Sequence, residues 1–390
     1  MDKIEEILLR GVANIIPSKE DLRKTLNGNK KLNIYLGIDP TSTKIHLGHT
    51  VPLRKLKAFS DLGHNVTFLI GDFTALIGDT SDKESERPAL TQEEINENFK
   101  TYKKQAEKIL DFSKVKVRHN SEWLKKLSFE DIVRLTQNFS VGDFIGRELV
   151  KKRLGQGKRV GLHEFLYPVM QGYDSFIMNT DIQVGGTDQT FNMQAGRTLI
   201  KNLSNKNSFV LTTPILEGLD GRKMSKSWGN AIWIDDSPYD IFAKVMAVND
   251  DLIGQYFTLV TSFPMDEVKK IEESVKKEPM KAKKKLAYVI VSELYSKKEA
   301  DKAEEQFQNT VQKKELPDQI ETVSIKDLKE TIFDTVSDWV KLSRSETKRL
   351  IQQKGVRVND KTINAKDAEQ DIKEGMVIRI GKRKIVKISP

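Results

Sequence analysis

The 390-residue sequence contains no cysteine. Disulfides, thiolate zinc sites and cysteine nucleophiles are therefore excluded, and a reducing compartment is compatible with the chain. Histidine is scarce as well. Its five residues are too scattered for a metal cluster, so no dedicated protein metal site is expected. No apolar run approaches the roughly 20 residues that a membrane helix needs. The N-terminal MDKIEEILLRGVANII has helical spacing and mixed charge, without the apolar core and small-residue cleavage site of a signal peptide. A cytoplasmic protein without a membrane partner is the expectation.

What is present is the mix of a globular protein: 38% hydrophobic and 31% charged residues, with a net charge of +9. The length allows two or three domains. The basic balance hints at a polyanionic partner, although a lysine-rich proteome gives the same balance.

The chain is organised around Tyr35 to His49, YLGIDPTSTKIHLGH. It reads as a strand over 32–38, a turn rich in Gly, Pro, Ser and Thr, and a helix start. His46 and His49 fall on one face of the first helical turn, whose free N–H groups and positive dipole end favour a phosphate. Gly48 leaves room for a nucleotide close to the backbone. On its own, H-x-G-H is a short pattern that chance also produces. The helix expected over 50–62, with Leu53, Leu56 and Phe59 apolar, and a strand over 66–70 complete a βαβ unit. That unit predicts an α/β fold with a parallel sheet and ligands at the carboxyl ends of its strands.

Elsewhere the spacing predicts one or two helices over 1–30, with Ser18 as an N-cap. It also predicts a long surface helix opened by a Thr91–Glu94 capping box, a strand over 115–119 and a helix over 123–139. Residues 141–160, rich in Gly, Lys and Arg, read as a mobile surface segment. Tyr167, Gln171 and Asp174 share one helix face in an apolar stretch. That pattern suits either a buried structural network or a pocket for a polar small molecule. A strand over 182–184 carries Gln183 and ends in Gly185-Gly186-Thr187-Asp188-Gln189. Lys223-Met224-Ser225-Lys226-Ser227 lies between Gly221 and Gly229, a loop that could close over phosphates with mobile positive charge. Residues 236–325 read as helical, and 316–318 as the start of a linker. From 333 to 390 the character changes. A helix over 339–351 carries Arg344, Lys348 and Arg349, and short strands end in Arg357 and in Lys382-Arg383. This fits a compact RNA-binding module ahead of a small packing domain.

HLGH and KMSKS, in that order, resemble the paired signatures of class I aminoacyl-tRNA synthetases. YLGIDPTSTKIHLGH, LIGD, FLYPVMQGYD, VGGTDQ and LEGLDGRKMSKS are similar to the tyrosyl-tRNA synthetase family in its bacterial branch. LSRSETKRLIQQKGVRVND with GMVIRIGKRK resembles the small RNA-binding domain that accompanies it. The resemblance implies a Rossmann-like catalytic domain over 1–235, an α-helical domain over 236–325 and a small α+β RNA-binding domain over 333–390. It implies activation of L-tyrosine by ATP, with Mg²⁺ accompanying the nucleotide, transfer to tRNA(Tyr), and a homodimer. By the same resemblance, Tyr35 and Asp174 should bind the phenol hydroxyl, and Asp79, Tyr167 and Gln171 the ammonium. Gln183 and Gln189 should lie near the substrate's backbone atoms. Gly37, Asp39, Gly48, Gly186 and Asp188, with Lys226, should line the ATP site. His46, His49, Lys223 and Lys226 should stabilise charge on the phosphates. The alternatives are tryptophanyl-tRNA synthetase, a nucleotidylyltransferase using H-x-G-H alone, and a degenerate synthetase kept for binding RNA. An indole, with one donor and no acceptor, suits the Tyr35–Asp174 pair less well than a phenol.

Overall fold

A computed structural model of the chain describes residues 2–41, 43–78, 91–312, 321–340, 342–359, 361–381 and 384–390. The chain divides into two compact units, 1–300 and 301–390.

The first unit is built on a six-stranded sheet: β1 (Asn14–Ile16), β2 (Asn33–Ile38), β3 (Asn65–Ile70), β4 (Val115–His119), β5 (Ile182–Gly186) and β6 (Phe209–Thr213). The strand order is β1-β6-β5-β2-β3-β4. All neighbours are parallel except β1, which pairs antiparallel with β6 at the edge. The chain builds outward from β2 through β3 to β4, then returns to place β5 on the other side of β2. The switch point thus falls between β2 and β5, where an open parallel sheet offers a crevice. These two strands pair only at Ile34–Ile182 and Tyr35–Gln183. Beyond Tyr35 they part, and Gly37 is exposed although it sits on a central strand.

Helices α1 (Lys3–Leu9) and α2 (Lys19–Leu26) flank β1, and α3 (Leu47–Asp61) joins β2 to β3. Helix α3 buries Leu47, Val51, Leu53, Leu56 and Phe59 at helical spacing, which is why this stretch folds as an amphipathic helix on the sheet. Helix α4 (Gln92–Ala106) precedes β4 and opens with the expected Thr91–Glu94 capping box. Between β4 and β5 lie α5 (Ser121–Leu124), α6 (Phe129–Thr136), α7 (Val141–Ile145), α8 (Glu148–Gly155) and α9 (Leu162–Ile177). Helix α10 (Thr190–Ser204) leads into β6. Then follow α11 (Pro238–Met246), α12 (Ile253–Val260), α13 (Met265–Val275), α14 (Pro279–Leu294) and α15 (Lys297–Phe307).

The second unit has a five-stranded sheet in the order β7-β11-β10-β8-β9. Its elements are β7 (Glu321–Ser324), α16 (Ile332–Val340), α17 (Arg344–Gln352), β8 (Val356–Val358), β9 (Lys361–Thr362), α18 (Ala365–Ala368), β10 (Val377–Ile380) and β11 (Lys384–Ser389). Ile332, Val336, Ile351, Val356, Ile378 and Val386 meet in its core.

Several sequence expectations change. Residues 14–16 form an edge strand rather than helix, because β6 offers them a ladder partner. Ser18 does cap the following helix, accepting from the Asp21 N–H. The helix expected over 123–139 is split into α5 and α6, with Ser128 capping the second. The one over 339–351 is split into α16 and α17, with Ser343 capping the second. In both cases a serine N-cap outweighed a continuous apolar period. Residues 321–324 are strand rather than helix. The linker expected from 316 lies outside the described residues.

The basic segment 141–160 is the largest correction. It folds as α7 and α8 rather than an irregular loop. Arg153 is buried and forks onto Glu164, with N–O distances of 2.6 and 3.0 Å. Glu164 also accepts from the Gly161 N–H at 2.7 Å, capping α9. Replacing Arg153 with Met strands a buried carboxylate, so Arg153→Met should cost about 3–5 kcal/mol. Arg153→Met/Glu164→Leu should recover most of the loss. Urea unfolding of the two variants is the check, and a single variant as stable as the parent would contradict the assignment.

Candidate active site

At the carboxyl ends of β2 and β5 the sheet opens, and the side chains there form one polar chain. Asp39, one residue past β2, accepts from the Tyr167 hydroxyl at 2.9 Å and from the Thr74 hydroxyl at 2.8 Å. Thr74 accepts from Asn120 at 3.0 Å, and Asn120 donates to Asp174 at 3.2 Å. Trp123 Nε1 donates to the other Asp174 oxygen at 2.6 Å. The chain passes over Gly71, where a Cβ would stand 2.0 Å from the Asp39 carboxylate and 2.4 Å from the Thr74 hydroxyl. Only glycine fits under this contact.

Tyr35 lies beneath, 3% exposed on β2. Its hydroxyl is 2.7 Å from that of Ser175 and 3.4 Å from Gln183 Oε1. Gln183 accepts from Ser175 at 2.9 Å and donates to the Met193 carbonyl at 2.9 Å. Burial pushes the Asp174 carboxyl up to about 7, against the two donors that favour its charged form. Burial, with the Asp174 charge, pushes the Tyr35 phenol up as well. Tyr167, Gln171 and Asp174 do share a face of α9, as their spacing implies, with Gln171 half-buried.

His46 and His49 open α3 with stacked rings, 3.7 Å between centroids. Gly48 has a further reason beyond nucleotide approach: a Cβ there would stand 3.0 Å from the His46 ring. His46 is buried and His49 half-buried. Desolvation, with the Lys223 charge nearby, pushes His46 down to about 2 and His49 down to about 4. Both rings are therefore neutral at pH 7. His46 Nδ1 is buried with no hydrogen-bond partner among the described residues, a polar atom in wait of one.

The lysine loop is held shut at its base. The Asn230 amide accepts from the Ser225 N–H at 2.9 Å and donates to Asp220 at 2.6 Å and to the Lys223 carbonyl at 3.1 Å. Met224 is buried beneath the loop. Lys223 Nζ lies 3.3 Å from Asp188, just past β5, while Lys226 is exposed. Gln189 accepts from Asn192 at 3.1 Å. Among the described residues no group of three or more acidic or histidine side chains stands together as a metal site.

The structure thus gathers Tyr35, Gly37, Asp39, His46, Gly48, His49, Tyr167, Gln171, Asp174, Gln183, Gly186, Asp188, Gln189, Lys223 and Lys226 in the first unit around one end of the sheet. Asp79 lies outside the described residues. The sequence reading missed Thr74, Asn120, Trp123, Ser175 and Asn230. Asn120 immediately follows β4, so its place at a strand's carboxyl end could have flagged it; the others carry no such signal. In the second unit Lys348, Arg349 and Arg357 are exposed. Arg344 pairs with Asp334 at 3.0 Å. Arg379 on β10, also missed, stands directly opposite Arg357 across the ladder. Lys382 and Arg383 lie outside the described residues.

The low histidine values have an observable consequence. The ring C–H resonances of His46 and His49 should stay flat in NMR from pH 8 down to about pH 5 in the ligand-free protein. A midpoint near the ordinary histidine value, about 6.5, would contradict a dry, cation-flanked environment.

The family described as "tRNA synthetases class I (W and Y)" matches residues 26–312. The chain is 44% identical to the tyrosine–tRNA ligase of Carboxydothermus hydrogenoformans, over 98% of this chain and 97% of that one. It is 40% identical to that of Thermotoga maritima, over 98% and 96%. Among solved structures it is similar to a C-terminally truncated mitochondrial tyrosyl-tRNA synthetase from Aspergillus nidulans. That match has a TM-score of 0.68 and 25% identity, covering 78% of this chain and 93% of the other. A polar crevice at the β2/β5 switch point, flanked by HLGH and KMSKS, is the site such a protein needs, and the chain belongs to the class I aminoacyl-tRNA synthetases, in the tyrosine–tRNA ligase family.

Proposed function

We propose that the chain activates L-tyrosine with ATP and transfers it to tRNA(Tyr), with Tyr35 and Asp174 at the base of the amino-acid pocket. The observation that carries this reading is the buried Asp174, held by Trp123 and Asn120 beside the buried Tyr35 hydroxyl where β2 and β5 part. A substrate phenol both donates and accepts, which matches a carboxylate next to a hydroxyl; an indole only donates. Tyr167, Gln171 and Asp79 take the ammonium, and Gln183 and Gln189 flank the substrate's backbone atoms. Phenylalanine would leave buried polar groups unpaired, and that loss is the basis of selectivity.

Asp39, Gly37, Gly48, Gly186 and Asp188 line the ATP side. The substrate carboxylate oxygen attacks the α-phosphorus. The new O–P bond forms as the bond to the β-phosphate bridging oxygen breaks, and pyrophosphate leaves with the electron pair. The nucleophile is already ionised, so neither a general base nor an activated side chain is required. Positioning and charge stabilisation supply the rate. His46 and His49, neutral at pH 7, serve as hydrogen-bond donors to phosphate oxygens, and Lys223 and Lys226 meet the departing pyrophosphate. Mg²⁺ bound with ATP would supply further charge neutralisation at the phosphates. In the second step a terminal ribose hydroxyl of the tRNA attacks the tyrosyl carbonyl and releases AMP.

We read 1–235 as the catalytic domain, 236–300 as a helical domain and the second unit, whose sheet takes in β7 ahead of the expected boundary at 333, as the RNA-binding module. Lys348, Arg349, Arg357, Lys382 and Arg383 would contact phosphates, and Arg344 would do so beside its ion pair with Asp334. We also read the protein as a cytoplasmic homodimer. Phe129, Val141 and Leu162 are 82%, 69% and 77% exposed, and Val133, Ile145 and Leu154 on the same stretch are exposed too. So many exposed apolar side chains from α6 to α9 suit burial against a second copy.

Tyrosine-dependent ATP–pyrophosphate exchange tests the activity, and faster exchange with tryptophan would overturn the reading. In the same assay Asp174→Ala should lose preference for tyrosine over phenylalanine. Lys348→Glu/Arg357→Glu should lower tRNA charging while sparing exchange. Light scattering should give twice the chain mass, and Phe129→Asp/Val141→Asp should halve it; a monomeric parent would sink the dimer.

A further inference from the structure

The segment that enters HLGH and the one that leaves the lysine loop meet through their backbones. The Leu47 N–H donates to the Ile232 carbonyl at 2.9 Å and the Ile234 N–H to the Ile45 carbonyl at 3.0 Å. His46 stands opposite Trp233 in the same antiparallel bridge. A pairing this short does not hold its own register, because there are too few cross-strand contacts to make one alignment win. Yet this register decides where the imidazoles of α3 stand relative to the loop that carries Lys223.

Both partners are gripped from outside by α4 and the turn that closes it. Near the C-terminal end of α4, Gln105 is 5% exposed. Its Oε1 accepts from the Ile45 N–H at 2.8 Å and its Nε2 donates to the Thr43 carbonyl at 2.6 Å. Three residues on, in the turn that closes α4, Lys108 Nζ donates to the Ile234 carbonyl at 2.6 Å. The ammonium also lies over the Tyr295 ring, 3.7 Å from its centroid, which holds the long side chain in place. Gln105 therefore grips the segment entering HLGH, and Lys108 grips the segment leaving the lysine loop. Asn98, further up α4, adds a bond to the Pro40 carbonyl at 2.9 Å. All three act on backbone atoms, so these bonds fix where the chain runs and are not made to the reacting side chains.

We propose that Gln105 and Lys108 are positioning residues, which hold the turn bearing His46 and His49 in register with the segment after the lysine loop so that both meet the same phosphates. The inference rests on the adenylate-forming reading above. It assigns to α4 a role that its surface position and capping box do not suggest.

The test uses the full chain with Gln105→Ala, Lys108→Met and the conservative Lys108→Arg. In ATP–pyrophosphate exchange, Gln105→Ala and Lys108→Met should each lower kcat by about tenfold or more, as misplacement of reacting groups does. The tyrosine KM should stay within about twofold, the split expected when only transition-state contacts are lost. Lys108→Arg, which keeps a donor, should restore most of the rate. In hydrogen–deuterium exchange the amides of Ile45, Leu47 and Ile234 should lose protection in the first two variants only. Unchanged kcat, or a tyrosine KM that rises in step with the loss of kcat, would overturn the proposal. So would unchanged protection at those three amides. A parent chain that exchanges no pyrophosphate would refute the tyrosine-activating reading alone, because the protection measurement still reports whether Gln105 and Lys108 hold the register.

Discussion

The parting of β2 from β5 after Tyr35 is the constraint on which the site depends. Two neighbouring parallel strands would ordinarily keep their ladder to the end and bury their last residues. Here the ladder stops at Tyr35–Gln183, and the carboxyl ends spread. The backbone beyond that point faces a crevice instead of a partner. Gly37 is exposed for this reason, and Asp39 and the Gly186–Gln189 turn emerge on opposite walls. The helices that follow, α3 and α10, start from those walls, so their first residues are carried to the same opening.

A crevice of this kind is electrically demanding. Burial disfavours the charged form of Asp174, with a smaller push from Asp39 and Asp72, and two donors that follow β4, Trp123 and Asn120, offset only part of that burden. His46 and His49 face the opposite sign of the same problem: in a desolvated place beside Lys223, they do not take up the second proton that would charge them at pH 7. The site thus sets a carboxyl with a raised pKa at one end and neutral imidazoles at the other. Such an arrangement is poised for ligands that bring their own charge.

Much of this was legible in the sequence. The βαβ unit and the helix face of Tyr167, Gln171 and Asp174 follow from local periodicity, and the two signatures from their resemblance to a known family. What local reading missed shares one cause. The breaks at Ser128 and Ser343 were hidden because apolar spacing continues through them. Residues 14–16 became a strand because β6, almost two hundred residues later, offered a partner. Arg153 looked like one more cation in a basic run, and it became a buried ion pair once Glu164 was folded against it.

The sequence by itself determined which residue types the chemistry would use and on which elements they would lie, because helical and strand periods are set within a few residues. Only the tertiary structure decided how those elements serve one another. Asn120 and Trp123 support Asp174 across more than fifty residues of chain, and Gln105 and Lys108 tie HLGH to the segment after KMSKS. Such contacts join residues whose separation along the chain carries no period, so no local pattern could announce them. Tyr35, the first residue of the opening stretch, and His49, the last, are set at the two ends of one site by the strand and helix between them.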